Sequence, residues 1–162
     1  MSYPEPRYHG EGGEASGTFR RADQAPDLTY PSGVGAHYLA SSALTGGGFG
    51  LYRWDMGAEP SGLGPHFHRT ITESFFVVSG TVRLYDGRQW VESNPGDFLF
   101  VPEGGIHGFR NEAGPASILI LFTPGAPREA YFGGLAEIAA ADTPPSKDEL
   151  DEFFLLHDNQ WV

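Results

Sequence analysis

The sequence predicts an all-β domain, a double-sheet jelly roll, followed by one or two short C-terminal helices. Three observations carry this prediction. Short apolar runs recur between residues 36 and 123, each bounded by Gly, Pro, Asn or Asp. Aromatic residues make up 14% of the 162 residues and charged residues only 19%, while 23 Gly and 13 Pro supply turns. Beyond residue 126 the apolar spacing lengthens to three and four, the period of a helix.

Residues 1–26 are rich in Gly, Pro, Glu and Arg without periodicity, which predicts an extended or poorly ordered arm. The barrel domain is expected over 27–126 and a helical extension over 127–162. His9, in the arm, reads as solvated. Ala36 to Ser42 and Phe49 to Asp55 read as strands joined by the Gly46-Gly47-Gly48 turn, which lacks the spacing of a phosphate-binding loop. His37 on the first strand is expected to be a hydrogen-bonded structural histidine. Met56 to Pro65 reads as a turn-rich loop. A polar-capped apolar run, Ser74 to Val78, follows. Thr81 to Tyr85, Asp86-Gly87 and Arg88 to Glu92 together predict a two-residue hairpin. Strands are expected again over Asp97 to Val101, Ile106 to Arg110 and Ser117 to Thr123, the last so uniformly apolar that both faces should be covered. In the extension, Tyr131, Leu135 and Ile138 predict a helix over Pro127 to Ala141, weakened by Gly133-Gly134. Ser146 and Glu149 form a capping-box signature opening a second helix, with Leu150, Phe153, Phe154 and His157 on one face. His157 sits where a helix dipole favours a cation.

The net charge of −11 and a single lysine, Lys147, exclude a phosphate-tracking basic stripe and so a nucleic-acid partner. The chain has no cysteine, hence no disulfide or thiolate site, which fits a reducing compartment. No apolar leader or membrane-length stretch is present, so the expectation is a cytoplasmic protein with no membrane partner.

Chemistry concentrates between residues 65 and 111. His66 and His68 are two apart, so on a strand both imidazoles share one face, with Phe67 on the other. Glu73 opens the next apolar run, and His107 lies in a third strand-like segment after a Pro/Gly turn. Imidazoles with one carboxylate suit a borderline divalent transition metal. Such ligands bind as neutral imidazole and ionised carboxylate, so metal binding should weaken at acid pH. Alternation from Glu73 places Phe75 and Val77 on its face, and alternation from His107 adds Phe109. Phe75, Phe100 and Phe109 are candidate substrate-pocket residues, with plain core packing as the leading reading.

The spacing resembles the two signature motifs of the cupin superfamily. His66, His68, Glu73 and Gly80 fill the first, which departs from the pattern only at its start, where Pro60 stands in place of Gly with Gly62 and Gly64 nearby. Gly96, Pro102, Gly104, His107 and Asn111 fill the second throughout. The resemblance implies a double-stranded β-helix barrel over most of 35–124. It also implies one metal ion (Fe, Mn, Ni, Co or Zn) held by His66, His68, Glu73 and His107. Softer similarity around 38–45, 65–68 and 123–127 resembles single-domain bacterial cupins of the quercetinase-like group. That group implies a dioxygenase cleaving a flavonol-type ring with O2, Glu73 being both ligand and catalytic base. A non-redox isomerase or lyase, or a small-molecule-binding module without catalysis, are the alternatives. Apolar outer faces, with Phe76, Val78 and the 117–123 run as candidates, imply a homodimer.

Overall fold

The computed structural model describes residues 2–112 and 114–162; Met1 of the expected arm lies outside them. Residues 2–27 contain turns and bends but no strand or helix, and all but Arg20 are exposed. Eleven strands and two helices follow among the described residues: β1 (Leu28–Thr29), β2 (Gly35–Ala40), β3 (Gly50–Met56), β4 (Ser61–Phe67), β5 (Thr72–Ser79), β6 (Val82–Tyr85), β7 (Trp90–Ser93), β8 (Phe98–Val101), β9 (His107–Asn111), β10 (Ala116–Thr123), α1 (Arg128–Ala140), α2 (Lys147–Leu156) and β11 (Gln160–Trp161). No helix among the described residues is long and apolar enough to cross a membrane.

The strands form two antiparallel sheets. One has six strands in the order β1-β2-β3-β10-β5-β8, the other five in the order β11-β4-β9-β6-β7. Alternation along each strand sends one set of side chains between the sheets. Thus Tyr52, Trp54 and Met56 of β3, Phe75 and Val77 of β5, and Ile118, Ile120 and Phe122 of β10 are buried together. Strand β10 alternates buried with half-buried residues, so its outer face is only partly covered, unlike the two-sided burial that its composition suggested. Outward-facing Ser117 and Thr123 share that face with Leu119 and Leu121, and the uniformly apolar run hides the alternation.

Two further expectations are corrected. The stretch read as a loop up to Pro65 contains β4 from Ser61. Gly62 (φ +144°) is required for close approach, since a Cβ there would lie 2.0 Å from the Phe109 carbonyl oxygen of β9. The hairpin after Gly80 pairs Tyr85 with Trp90, two residues beyond the register that an Asp86-Gly87 turn gives. Asp86 Oδ1 instead accepts hydrogen bonds from the Arg88 and Gln89 N–H groups, which moves the turn along the chain. A two-residue shift leaves every side chain on its expected face.

The C-terminal extension packs against the barrel. From α1, Tyr131 and Phe132 are buried, and Phe132 meets the rings of Tyr52 and Trp54 at 5.1 and 5.0 Å. Helix α2 starts at a formed capping box: Glu149 N–H donates to Ser146 Oγ, and Ser146 N–H donates to Glu149 Oε2. Its Phe153 stacks on Tyr131 at 5.6 Å. Gly134 allows that stacking, since a Cβ there would lie 2.4 Å from the Phe153 ring.

Candidate metal centre

Strand geometry brings the four predicted ligands together. His66 is the penultimate residue of β4 and pairs in register with His107 of β9. Glu73 lies on β5 opposite Val101 of β8, on the inner face of the other sheet. His68 follows β4 by one residue. All four side chains are buried, and their ligand atoms lie within 4.8 Å of one another. Metal bonds of roughly 2 Å to imidazole nitrogen or carboxylate oxygen place ligands on opposite sides of an ion at about twice that distance, so the cluster has the right scale.

The hydrogen bonds decide the tautomers. His66 Nδ1 is 2.9 Å from the Gly64 carbonyl, His68 Nδ1 2.7 Å from that of Asp158, and His107 Nδ1 2.9 Å from that of Gly105. A carbonyl only accepts, so each Nδ1 carries the proton and each neutral ring presents an Nε2 lone pair inward. Glu73 Oε2 lies 2.7 Å from His107 Nε2 and 3.0 Å from His68 Nε2. Lone pairs that face a carboxylate oxygen at these distances require a cation between or upon them, either a proton or a metal ion. The donor set therefore fits one metal ion.

The electrostatics match. Burial pushes the Glu73 carboxyl up, but neighbouring His107 and His68 outweigh it and hold the group well below the usual carboxylate range. Burial, reinforced by the charge of His107, pushes His66 down to about 3. Burial also opposes protonation of His107, yet the Glu73 carboxylate more than compensates and raises it.

Above the cluster lies a cavity of about 290 Å³ whose wall includes His66, Glu73, Trp54, Phe109, Phe122 and Arg128. Of the three predicted pocket residues, Phe109 is in this wall. Phe75 is fully buried behind the site, its ring 5.8 Å from that of His107. Phe100 is a correction: it pairs with outward-facing Ser74 and is 57% exposed on the far side of the sheet. Counting alternation from Glu73 through the β5–β8 register would have placed it there.

His37 is buried away from the cluster, 2.9 Å from Arg53 and 3.0 Å from Asp55. His157 packs at 4.8 Å on the Phe153 ring; burial and nearby Arg128 lower its pKa, against the charge that its helix end favours.

Sequence reasoning missed the contribution of the C-terminal segment. Asp158 takes a left-handed conformation (φ 56°) after α2, a role for which Asp is suited. Its carboxylate accepts from the Arg69 and Thr70 N–H groups and from Thr70 Oγ1, and its carbonyl orients His68. Strand β11 then pairs with β4, bringing the Trp161 ring 5.3 Å from that of His66. The one readable signal was an Asp-Asn pair just past a helix end.

Residues 53–122 match the family model described as the cupin domain. These residues form a cupin domain. The chain is 32% identical over 72 residues to a quercetin 2,3-dioxygenase of Bacillus subtilis (strain 168), covering 44% of this chain and 21% of that protein. It is also 32% identical over 60 residues to an uncharacterized protein of Aquifex aeolicus (strain VF5), covering 37% of this chain and 50% of that one. The chain thus spans between a fifth and a half of these relatives' lengths. Among solved structures, KdgF from Halomonas sp. superposes with a TM-score of 0.58 at 16% identity, covering 68% of this chain and 96% of that one. The polyketide cyclase RemF from Streptomyces resistomycificus gives 0.53 at 22% identity, covering 65% and 78%. Both likenesses are of fold. The similar proteins include enzymes by name, and the His66, His68, Glu73 and His107 cluster can hold one metal ion.

Proposed function

We propose that this chain is a metal-dependent dioxygenase acting on an aromatic or enolisable small molecule, with flavonol-type ring cleavage as its specific form. One observation carries the reading: a buried set of three histidines and one carboxylate contributes to the wall of a cavity that is otherwise mostly apolar and aromatic. The 72-residue likeness to a quercetin dioxygenase supports it. A bound divalent transition metal supplies Lewis acidity and, when redox-active, electrons for O2.

The chain's own residues do the rest. Carbonyls on all three Nδ1 atoms hold the imidazoles in the ligating tautomer. Trp54, Ile120, Phe122 and Phe132 give the cavity a largely apolar wall. Glu73 is the proposed base for the substrate hydroxyl. His107 and His68 hold its carboxyl well below the usual carboxylate range, so it is ionised and able to accept a proton. At about 290 Å³ the cavity lies at the small end of ligand sites, which suits a compact substrate.

Oxygen uptake by protein loaded separately with Fe, Mn, Co, Ni and Zn, offered a panel of flavonols, tests the proposal. Uptake is expected with redox-capable metals, not with zinc, and not in His66→Ala. Glu73→Gln with metal retained should slow turnover by about 10²–10⁴-fold; unchanged turnover removes the base role. A second reading, a non-redox isomerase or lyase, is favoured by the Arg128 cation in the cavity wall, which suits a developing enolate. It predicts turnover with zinc and without oxygen.

A further inference from the structure

We propose that Arg128 recognises the substrate of this cavity and that the substrate carries a carboxylate. The inference rests on reading the cavity as the substrate site, whichever reaction occurs there. Arg128 opens α1 far from the motifs in sequence, yet only 3% of it is exposed. Its Nη1 donates to the His157 carbonyl at 2.8 Å and its Nη2 to Asn159 Oδ1 at 3.1 Å. The guanidinium carbon lies 4.1 Å from the Tyr131 ring centroid, 5.0 Å from that of Phe122 and 5.7 Å from that of Phe132.

All of these partners are neutral. Glu73 and Asp158 are the carboxylates whose fields reach Arg128. Both are engaged elsewhere, Glu73 by the histidines and Asp158 by Arg69 and Thr70. Burying a cation without a hydrogen-bonded counter-ion is strongly unfavourable, so this charge calls for a partner. Two donors, the Arg128 Nε–H and the Asn159 Nδ2 amide, are buried without a hydrogen-bond partner among the described residues.

Arg128 also shares the cavity wall with His66 and Glu73. A ligand there meets the histidine–carboxylate cluster at one point and a guanidinium at another. The planar fork of the guanidinium matches the two oxygens of a carboxylate. A purely structural Arg128, tying α1 to the 157–159 turn, gives no such ligand preference.

The test is calorimetric titration of zinc-loaded protein with benzoate and with benzamide, which share a shape but differ in charge. Wild type is expected to bind benzoate at least about tenfold tighter than benzamide. Arg128→Met should weaken benzoate by about ten- to a hundredfold and leave benzamide almost unchanged, and Arg128→Lys should restore part of the loss. Asn159→Asp keeps the arginine but gives it an internal counter-ion, so it should abolish the benzoate preference in a folded protein. That variant decides the matter if Arg128→Met does not fold. The proposal is overturned if wild type binds no benzoate at millimolar concentration or shows no carboxylate preference. It is also overturned if the preference survives Arg128→Met or Asn159→Asp, which would place the carboxylate on the metal alone. Oxygen plays no part in this measurement, so its outcome is separate from that of the dioxygenase test.

Discussion

His66, Glu73 and His107 shift one another's titration, and this gives the metal-free protein a defined pH profile. His66, with its pKa pushed down to about 3 from 6.5, is neutral in the fold and charged when unfolded at acid pH. Its contribution is present above about pH 6.5 and is lost progressively as pH falls toward 3. Glu73, also depressed, acts in the same direction, its share being lost as pH falls through its lowered folded pKa. His107 is raised by Glu73, so its contribution is present below 6.5 and is lost as pH rises through the folded value. Thermal melts of chelator-treated protein should therefore peak near neutrality and decline on both sides, and a saturating metal should remove the alkaline decline. A melting temperature that climbs steadily toward acid would contradict this account. At this scale the sequence was highly legible. His66, His68, Glu73 and His107 are fixed by spacing on strands, and Asn111 by its offset. Asn111 is a structural staple: its Nδ2 donates to the carbonyls of Gly57, Glu59 and Gly114, while its Oδ1 accepts from Ser61. Arg128 was illegible because its hydrogen-bond partners, His157 and Asn159, lie 29 and 31 positions away, and no local pattern marks them.

Among the elements, the C-terminal turn and β11 have the largest leverage on the site. The Asp158 carboxylate pins the turn to Arg69 and Thr70, and the Asp158 carbonyl fixes the His68 ring. Asp158→Ala should release this strap and weaken zinc affinity by about tenfold or more, as loss of an outer-shell partner does. Competition with a chromophoric chelator measures it, and an unchanged affinity would show that His68 is held by its own strand. The two helices were readable from their period and capping box. Their function was not, because a helical pattern shows which face is buried without showing what it is buried against. The same limit explains β4, where Gly62 and Pro65 signal a turn to any local reading and only the proximity of β9 makes an extended strand there favourable.

For the molecule as a whole, the outer face of the six-stranded sheet remains to be partnered. Phe76 and Phe98 sit opposite each other in register and are 42% and 62% exposed, with Val78 and Phe100 beside them. The edge strand β8 carries two of the four, and exposed apolar patches of this kind mark association surfaces. Light scattering is expected to give the mass of a homodimer, and Phe98→Glu with Phe100→Glu to give a folded monomer. A wild-type monomer at all concentrations would rule this out. The jelly roll itself was legible from turn spacing, since strands of this length leave few other ways to cover both inner faces.

The bond between His68 and Asp158 joins residues 90 positions apart, and this has a consequence in time. As the chain is made, the strands bearing all four ligands emerge well before the residue that sets the His68 ring. During that interval a nascent barrel can close while one ligand still swivels. Metal captured early would meet a looser and less discriminating site than metal captured after residue 158 is in place. The order of synthesis therefore delays a finished metal site until the strap has closed.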